Sequence, residues 1–188
     1  MDCEAFAELL SPRGQQALQA AMAAGLQEKN LLPDLGRLRK EYGSALARAA
    51  VEMALLRTRA ASKFSRAHEM YFTRDALEQA SGERISSYRA QRFAEHAHVG
   101  DFGCGIGGDL ISLAARTNAT GIERDAVRAA MAAENLRVCG VSGRAALRAI
   151  EHAHAERLLG ILRRQLDGDG AIAQPGEGIG EFVAGQHA

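Results

Sequence analysis

From residue 2 to residue 66, apolar positions recur at helical spacing between short polar breaks, which predicts a string of short helices. Ser11-Pro12 is a start signal, with a hydroxyl at the cap and proline at the first helical position, and the Ala- and Leu-rich run Gln15 to Leu26 follows it. Leu31, Leu32, Leu35 and Leu38 keep helical spacing around Pro33, and Leu46, Ala50, Met53 and Ala54 mark one face of a helix from Ser44 to Thr58. Thr73–Ala80 and Arg84–Phe93 read as two further helices, the second amphipathic. At residue 98 the pattern changes. His98–Phe102 is strand-like and enters a Gly-rich turn, Leu110–Ala115 is helical, Ala119–Glu123 is a second short strand, and Ala126–Val138 a second helix. This β-turn-α-β-α order is the opening half of a doubly wound sheet.

Past Gly143 the alternation stops. Residues 144–166 read as one amphipathic helix with Leu147, Ile150, Leu158, Ile161 and Leu162 on a face, and the last 22 residues as a loose Gly-rich tail. No third or fourth strand is expected. The chain thus divides into a helical N-terminal region (1–66), an α/β region (67–142), and an atypical helix with its tail (143–188).

Composition narrows the classes. The 188 residues carry 23 Lys+Arg against 23 Asp+Glu, a balance that argues against a nucleic-acid coat or a polybasic membrane binder. Between residues 31 and 74 there are nine Lys+Arg and four Asp+Glu; this local excess suits either a solvated helix face or a phosphate-facing surface for RNA. No apolar run is long enough to span a bilayer, and the acidic start MDCEAFAELL lacks the basic region of a secretory leader. Cys3, Cys104 and Cys139 share no metal-ligand spacing, and reduced thiols in a cytoplasmic protein are their simplest account.

The segment Asp101-Phe102-Gly103-Cys104-Gly105-Ile106-Gly107-Gly108-Asp109 is the strongest chemical feature. A ligand lying across a strand end needs close backbone approach; Gly103, Gly105 and Gly107 remove Cβ atoms, and a helix starting near Gly108 turns N–H groups toward the ligand. Gly103, Gly105 and Gly108 also fit the dinucleotide fingerprint, which keeps a nicotinamide-dependent oxidoreductase open. Glu123, 22 residues past Asp101 at the end of the second strand, suits the hydroxyls of an adenosine ribose. Asp101 stands where such turns usually carry an apolar residue, and a carboxylate there suits a ligand bearing positive charge.

These residues resemble the class I methyltransferases that use S-adenosyl-L-methionine (SAM). DFGCGIGGDL is similar to their first motif, and GIERDAVRAAMAAENLRVCGV to the acidic second motif and its helix. Upstream, LLSPRGQQAL and KFSRAHEMYFTRDALEQASGERISSYRAQRFA (63–94) resemble a bacterial group that usually carries a THUMP-like C-terminal domain and is distantly similar to trimethylguanosine synthase. The resemblance covers residues 6–142 and implies a Rossmann-like fold, incomplete after its first β-α-β-α half, with an all-helical region before it. It implies that Asp101, Gly103 and Gly105 hold the methionine end of SAM, with Cys104 among the cofactor-binding residues of the turn as a packing side chain and not a nucleophile. It further implies that Glu123 takes the ribose hydroxyls, Arg124 borders the adenine, and Phe72-Thr73 closes over the methionine side. The activity implied is methylation of an RNA base.

Relatives acting on base nitrogens carry an Asp/Asn-Pro-Pro-aromatic motif, whereas Pro12, Pro33 and Pro175 stand apart from one another. No catalytic residue is therefore assigned, and a SAM-binding fragment without catalysis is the alternative. A truncated or frame-shifted product beyond residue 143 is expected, or a divergent protein whose partner completes the sheet; the 144–166 helix is expected either to pack back onto the sheet or to serve self-association. Glu95-His96-Ala97-His98 and Glu151-His152-Ala153-His154 repeat a string that invites a metal. On a helix, residues two apart point in nearly opposite directions, so His152 and His154 do not share an ion, and no metal is expected.

Overall fold

At the N-terminus the helical spacing becomes α1 (Cys3–Leu10), α2 (Pro12–Ala23), α3 (Leu31–Tyr42) and α4 (Ser44–Ala60). The computed structural model describes residues 1–25, 31–142, 145–149 and 180–183. Asp2 caps α1, accepting from the Ala5 N–H at 2.9 Å. Ser11 ends α1 and begins α2: its hydroxyl donates to the Glu8 carbonyl at 2.6 Å and accepts from the Gly14 N–H at 3.0 Å. Gly14 is required at this corner, because a Cβ would stand 2.2 Å from the Glu8 carbonyl oxygen and 2.4 Å from that of Leu9.

The long helix α4 is the centre of this region, and the predicted face of Leu46, Ala50, Met53 and Ala54 is buried against α1, α2 and α3. Arg57 is buried with them. Its Nε donates to the Met70 carbonyl and Nη2 to the Glu69 carbonyl, both at 2.9 Å, while the guanidinium lies 4.9 Å from the Tyr71 ring centroid. Burial lowers its pKa below the ordinary arginine value, and carbonyls and ring together hold the charge that the interior disfavours.

Next come α5 (Arg74–Gln79), α6 (Glu83–Ala90) with a 3₁₀ turn at Gln91–Phe93, β1 (His98–Phe102), α7 (Gly108–Ala114), β2 (Asn118–Glu123), and α8 (Ala126–Val138). The sequence places each of these to within two or three residues. Strands β1 and β2 run parallel, with Asp101 opposite Gly121. Val99, Ala119, Leu110, Leu113, Ala114 and Leu136 form the core beneath them.

Two further strands correct the sequence reading. Residues 145–149, expected as the start of a helix over 144–166, form β3 (Ala145–Ala149), parallel to β2. Residues 180–183, expected in the tail, form β4 (Gly180–Val183), antiparallel to β1. Among the described residues the sheet therefore has four strands in the order β3-β2-β1-β4, and the two legible in the sequence are its centre. The physical reason is that a short Ala/Leu run fits a period of two as well as 3.6. Once α8 has ended, at Gly140 with φ +74°, the unpaired edge of β2 decides for strand, and Leu147 packs over Gly121. Residues 150–166 of the expected helix, with His152 and His154, lie outside the described residues.

The helices and the sheet share their packing. Ile106 from the glycine loop and Met131 from α8 belong to the same apolar cluster as Phe6, Leu9, Leu18, Met53 and Phe72. Among the described residues no helix is long and apolar enough to cross a membrane.

Candidate functional site

Beyond β1 the chain reverses through glycines whose backbone L side chains rarely adopt: φ is +79° at Gly103, +56° at Gly105 and +84° at Gly107. The turn is also held. The N–H groups of Gly103 and Cys104 both donate to the Ile122 carbonyl, at 2.8 and 3.1 Å, and the Gly107 N–H donates to the Cys104 carbonyl at 2.8 Å.

The glycines differ in what their missing side chains allow. A Cβ on Gly103 or Gly105 would meet no atom within 4 Å, so these two face open space. A Cβ on Gly107 would sit in ordinary contact with α8, 3.4 Å from the Ala132 Cβ; this glycine faces that helix and not the cleft, and its φ of +84° is what calls for glycine, not the ligand approach expected from the sequence.

The open space is a cleft of about 400 Å³. One wall is Ala76, Gln79, Ala80 and Ser81, from α5 and the turn after it; the floor is Gly103 to Ile106 with Gly108; Asp109, Glu123 and Arg128 are its charged lining. Lys63 fixes the α5 wall by donating to the carbonyls of Leu77 (2.8 Å), Glu78 (3.1 Å) and Ala80 (2.9 Å), which caps the C-terminus of that short helix.

Glu123, only 5% exposed, joins the two strand ends. Its Oε2 accepts from the Gly105 N–H and its Oε1 from the Asp125 N–H, each at 2.9 Å. An ionised carboxylate offers about four acceptor positions, so each oxygen keeps capacity for a ligand hydroxyl. Asp125 in turn caps α8 through the Arg128 N–H at 2.9 Å, which sets the first turn carrying Arg128.

Of the residues singled out from the sequence, Gly103, Cys104, Gly105 and Glu123 converge on the cleft. Asp101 lies 3% exposed within β1 and does not line it. Arg124 is exposed outside the lining, whereas Arg128, one turn along, is among the lining residues. Phe72 is a core residue packed 5.8 Å from Phe64, ring to ring, and Thr73 caps α5 through the Ala76 N–H at 3.2 Å. This pair orients α5 without lining the cleft. Burial, with the charges of Asp101 and Glu123 adding to it, pushes the Cys104 thiol far above its ordinary pKa, so it stays protonated and packs against Gly121.

Several members of the site carry weaker signals in the sequence. Asp109 and Arg128 sit in first helical turns where polar residues are ordinary. Asn135 is more legible: a poor helix former in the middle of α8, beside the buried Leu136 and one turn from Met131 and Ala132. It is 0% exposed, donates to the carbonyls of Tyr71 and Ile106 at 2.9 Å each, and accepts from the Tyr71 N–H at 2.7 Å.

The histidine string before β1 has other partners: His98 Nε2 lies 2.7 Å from Thr120 Oγ1, and the His96 carbonyl accepts from Thr117 Oγ1. Among the described residues no group of three His, Cys, Asp or Glu side chains is placed to hold a metal ion.

Comparison with known proteins agrees with this architecture. A family described as a domain of unknown function (DUF8688) matches residues 2–60, the helical region. Two proteins named as uncharacterized S-adenosylmethionine-dependent methyltransferases, from two strains of Mycobacterium tuberculosis, are each 38% identical over 98 residues, covering 48% of this chain. The chain spans about a quarter of these relatives' length (27%). A crystal structure of a protein assigned as a methyltransferase from Porphyromonas gingivalis W83 superposes with a TM-score of 0.52 at 23% identity, over 74% of this chain and 39% of that one. The likeness to this structure is one of fold.

Proposed function

We propose that the cleft holds S-adenosyl-L-methionine and that the chain carries the cofactor-binding half of a SAM-dependent methyltransferase. One observation carries the reading: a glycine loop with open space above Gly103 and Gly105 is bonded directly to a carboxylate at the end of the neighbouring strand. A nucleoside laid across the strand ends meets backbone there instead of side chains, and its vicinal hydroxyls meet Glu123. The names of the mycobacterial relatives support the same cofactor.

When bound, SAM supplies a methyl group activated by its sulfonium, transferred by in-line displacement to a nucleophile. The residues of this chain bind and orient. Glu123 fixes the ribose end, Gly103 and Gly105 admit the thioether region close to the backbone, and Arg128 and Gln79 border the opening. Most of the rate gain in such a displacement comes from positioning the two reactants, and a rigid loop supplies that.

We place the acceptor in the class of RNA bases. The support is the resemblance of residues 63–94 to the THUMP-bearing group and the local excess of positive charge between residues 31 and 74. A second reading, a SAM-binding module without catalysis, is favoured by the isolation of Pro12, Pro33 and Pro175, which leaves no Asp/Asn-Pro-Pro-aromatic segment.

Calorimetric titration with SAM and, separately, NAD tests the cofactor. Saturable SAM binding that is lost in Glu123→Ala is the expected result, and binding of NAD but not SAM overturns it. Transfer of labelled methyl groups to total RNA then separates the enzyme from the module.

A further inference from the structure

The resemblance to methyltransferases gives the methionine end of the cofactor to Asp101, yet Asp101 is buried in β1 and the cleft is lined instead by Asp109. We propose that Asp109 is the specificity-determining carboxylate that receives the ammonium group at the amino-acid end of the ligand. This inference rests on the cleft being a SAM site.

The charge of the lining is the first argument. Asp109 and Glu123 are the two carboxylates of the lining and Arg128 its guanidinium, while Arg89 pairs with Asp109 from outside the lining, so a ligand cation meets two acidic groups on the cleft side. Glu123 is committed to the loop and to the β2–α8 turn through two backbone N–H groups, a geometry that fits it to hydroxyls. Asp109 is then the carboxylate left to meet a cation.

The second argument is that Asp109 is short of donors. Its Oδ1 is buried and accepts no hydrogen bond among the described residues. Its Oδ2 lies 3.6 Å from Arg89 Nη1, an ion pair longer than a good hydrogen bond, with the two side chains 19% and 34% exposed. The same Nη1 donates to Ser81 Oγ at 3.0 Å, so Arg89 is anchored to the cleft wall and is not free to close on the carboxylate. A carboxylate this buried is costly until charged or polar donors complete its shell. An ammonium, with three N–H groups on a compact centre, supplies them from the cleft side. Arg89, anchored on Ser81, compensates the charge of Asp109 when no ligand is bound.

The test compares SAM with 5′-methylthioadenosine, which keeps the adenosine and sulfur and lacks the amino-acid end. Affinities for both are measured by calorimetry on wild-type protein, Asp109→Asn and Asp101→Asn. The expected pattern is a loss of about tenfold or more in SAM affinity for Asp109→Asn, with methylthioadenosine affinity unchanged within about twofold. Asp101→Asn is expected to affect both ligands alike.

A selective loss of SAM in Asp101→Asn, or equal losses of both ligands in Asp109→Asn, overturns the assignment. Should Asp109→Asn fail to fold, the wild-type protein still decides: equal affinity for the two ligands means that no group recognises the ammonium. Wild-type protein that binds neither ligand overturns the cofactor reading itself, whereas wild-type SAM binding that survives Asp109→Asn unchanged overturns only the role of Asp109.

Discussion

Asn135 and Tyr71, 64 residues apart in the chain, exchange two hydrogen bonds: the Tyr71 N–H donates to Asn135 Oδ1 at 2.7 Å, and Asn135 Nδ2 donates to the Tyr71 carbonyl at 2.9 Å. The same Nδ2 reaches the Ile106 carbonyl in the glycine loop at 2.9 Å. One amide thus ties α8, the segment leading into α5 and the floor of the cleft. Replacing it with leucine, of similar size, leaves one donor and two acceptors buried without partners. We expect Asn135→Leu to cost about 3 kcal/mol or more, read as a lower midpoint in urea unfolding. An unchanged midpoint would show that the three backbone groups find other partners.

Gly121 and Gly105 are both glycines for steric reasons, but of different kinds. In β2, a Cβ on Gly121 would lie 2.4 Å from Leu110 Cδ2, 2.9 Å from Cys104 Sγ and 3.1 Å from Leu147 Cδ1. Gly121→Ala therefore overpacks the core and is expected to destabilise by about 1–3 kcal/mol. At Gly105 the space is open and the cost is backbone strain at φ +56°, about 1–2 kcal/mol, but the new methyl group points into the cleft. Gly105→Ala should lose SAM affinity out of proportion to its stability loss, whereas Gly121→Ala should lose affinity only as it unfolds. Thermal unfolding run beside calorimetry on the two variants separates the two effects.

The thiols should respond to pH and alkylation in a fixed order. The Cys104 pKa is raised in the folded state, chiefly by burial, from an ordinary value of 9.0. The folded state thus keeps a proton that the unfolded chain gives up above that value. The contribution to stability is whole below pH 9.0 and is lost as pH rises beyond it. Cys104→Ala is expected to flatten the fall in stability between about pH 9 and 10.5 relative to wild type. In native protein at neutral pH, exposed Cys3 should be alkylated first, half-buried Cys139, its pKa raised by burial, more slowly, and Cys104 only on unfolding. Mass spectrometry of partly labelled protein checks the order, and early labelling of Cys104 would contradict the burial assigned to it.

Lys63 holds the cleft wall through three carbonyls at the end of α5, a six-residue helix with little stability of its own. Lys63→Met keeps the aliphatic stem and removes the ammonium. The expected cost is about 1–3 kcal/mol, with weaker SAM binding because Gln79 and Ser81 lose their fixed placement. Amide exchange at Leu77 to Ser81 should rise in the variant, and unchanged protection there would contradict this role.

The helices and the two central strands were legible because their signals are local: Ser11-Pro12 at a cap, the Leu46–Ala54 face, glycines at a strand end. Strands β3 and β4 were not, since Leu147 and Phe182 owe their conformation to the open edges of β2 and β1, and neighbours in space leave no mark on a short window of sequence. The site divides the same way. Gly103, Gly105 and Glu123 follow from spacing along the chain. Asp109, Arg128 and Asn135 matter through which side of a helix faces the loop, and that depends on packing among α5, α7 and α8. The residues carried over from the methyltransferase resemblance divide too, since Phe72 and Thr73 shape the wall without reaching the cleft.

Ile106 lies in one apolar cluster with Phe6 and Leu9, more than ninety residues upstream. The opening helices are thus in register with the loop that would grip a nucleoside. Filling the cleft should be felt at a distance, as slower proteolysis or amide exchange in α1 and α2, neither of which touches the cleft. The first twenty residues would then serve as a gauge of occupancy, and a tag or truncation there would disturb ligand affinity with every cleft residue left in place.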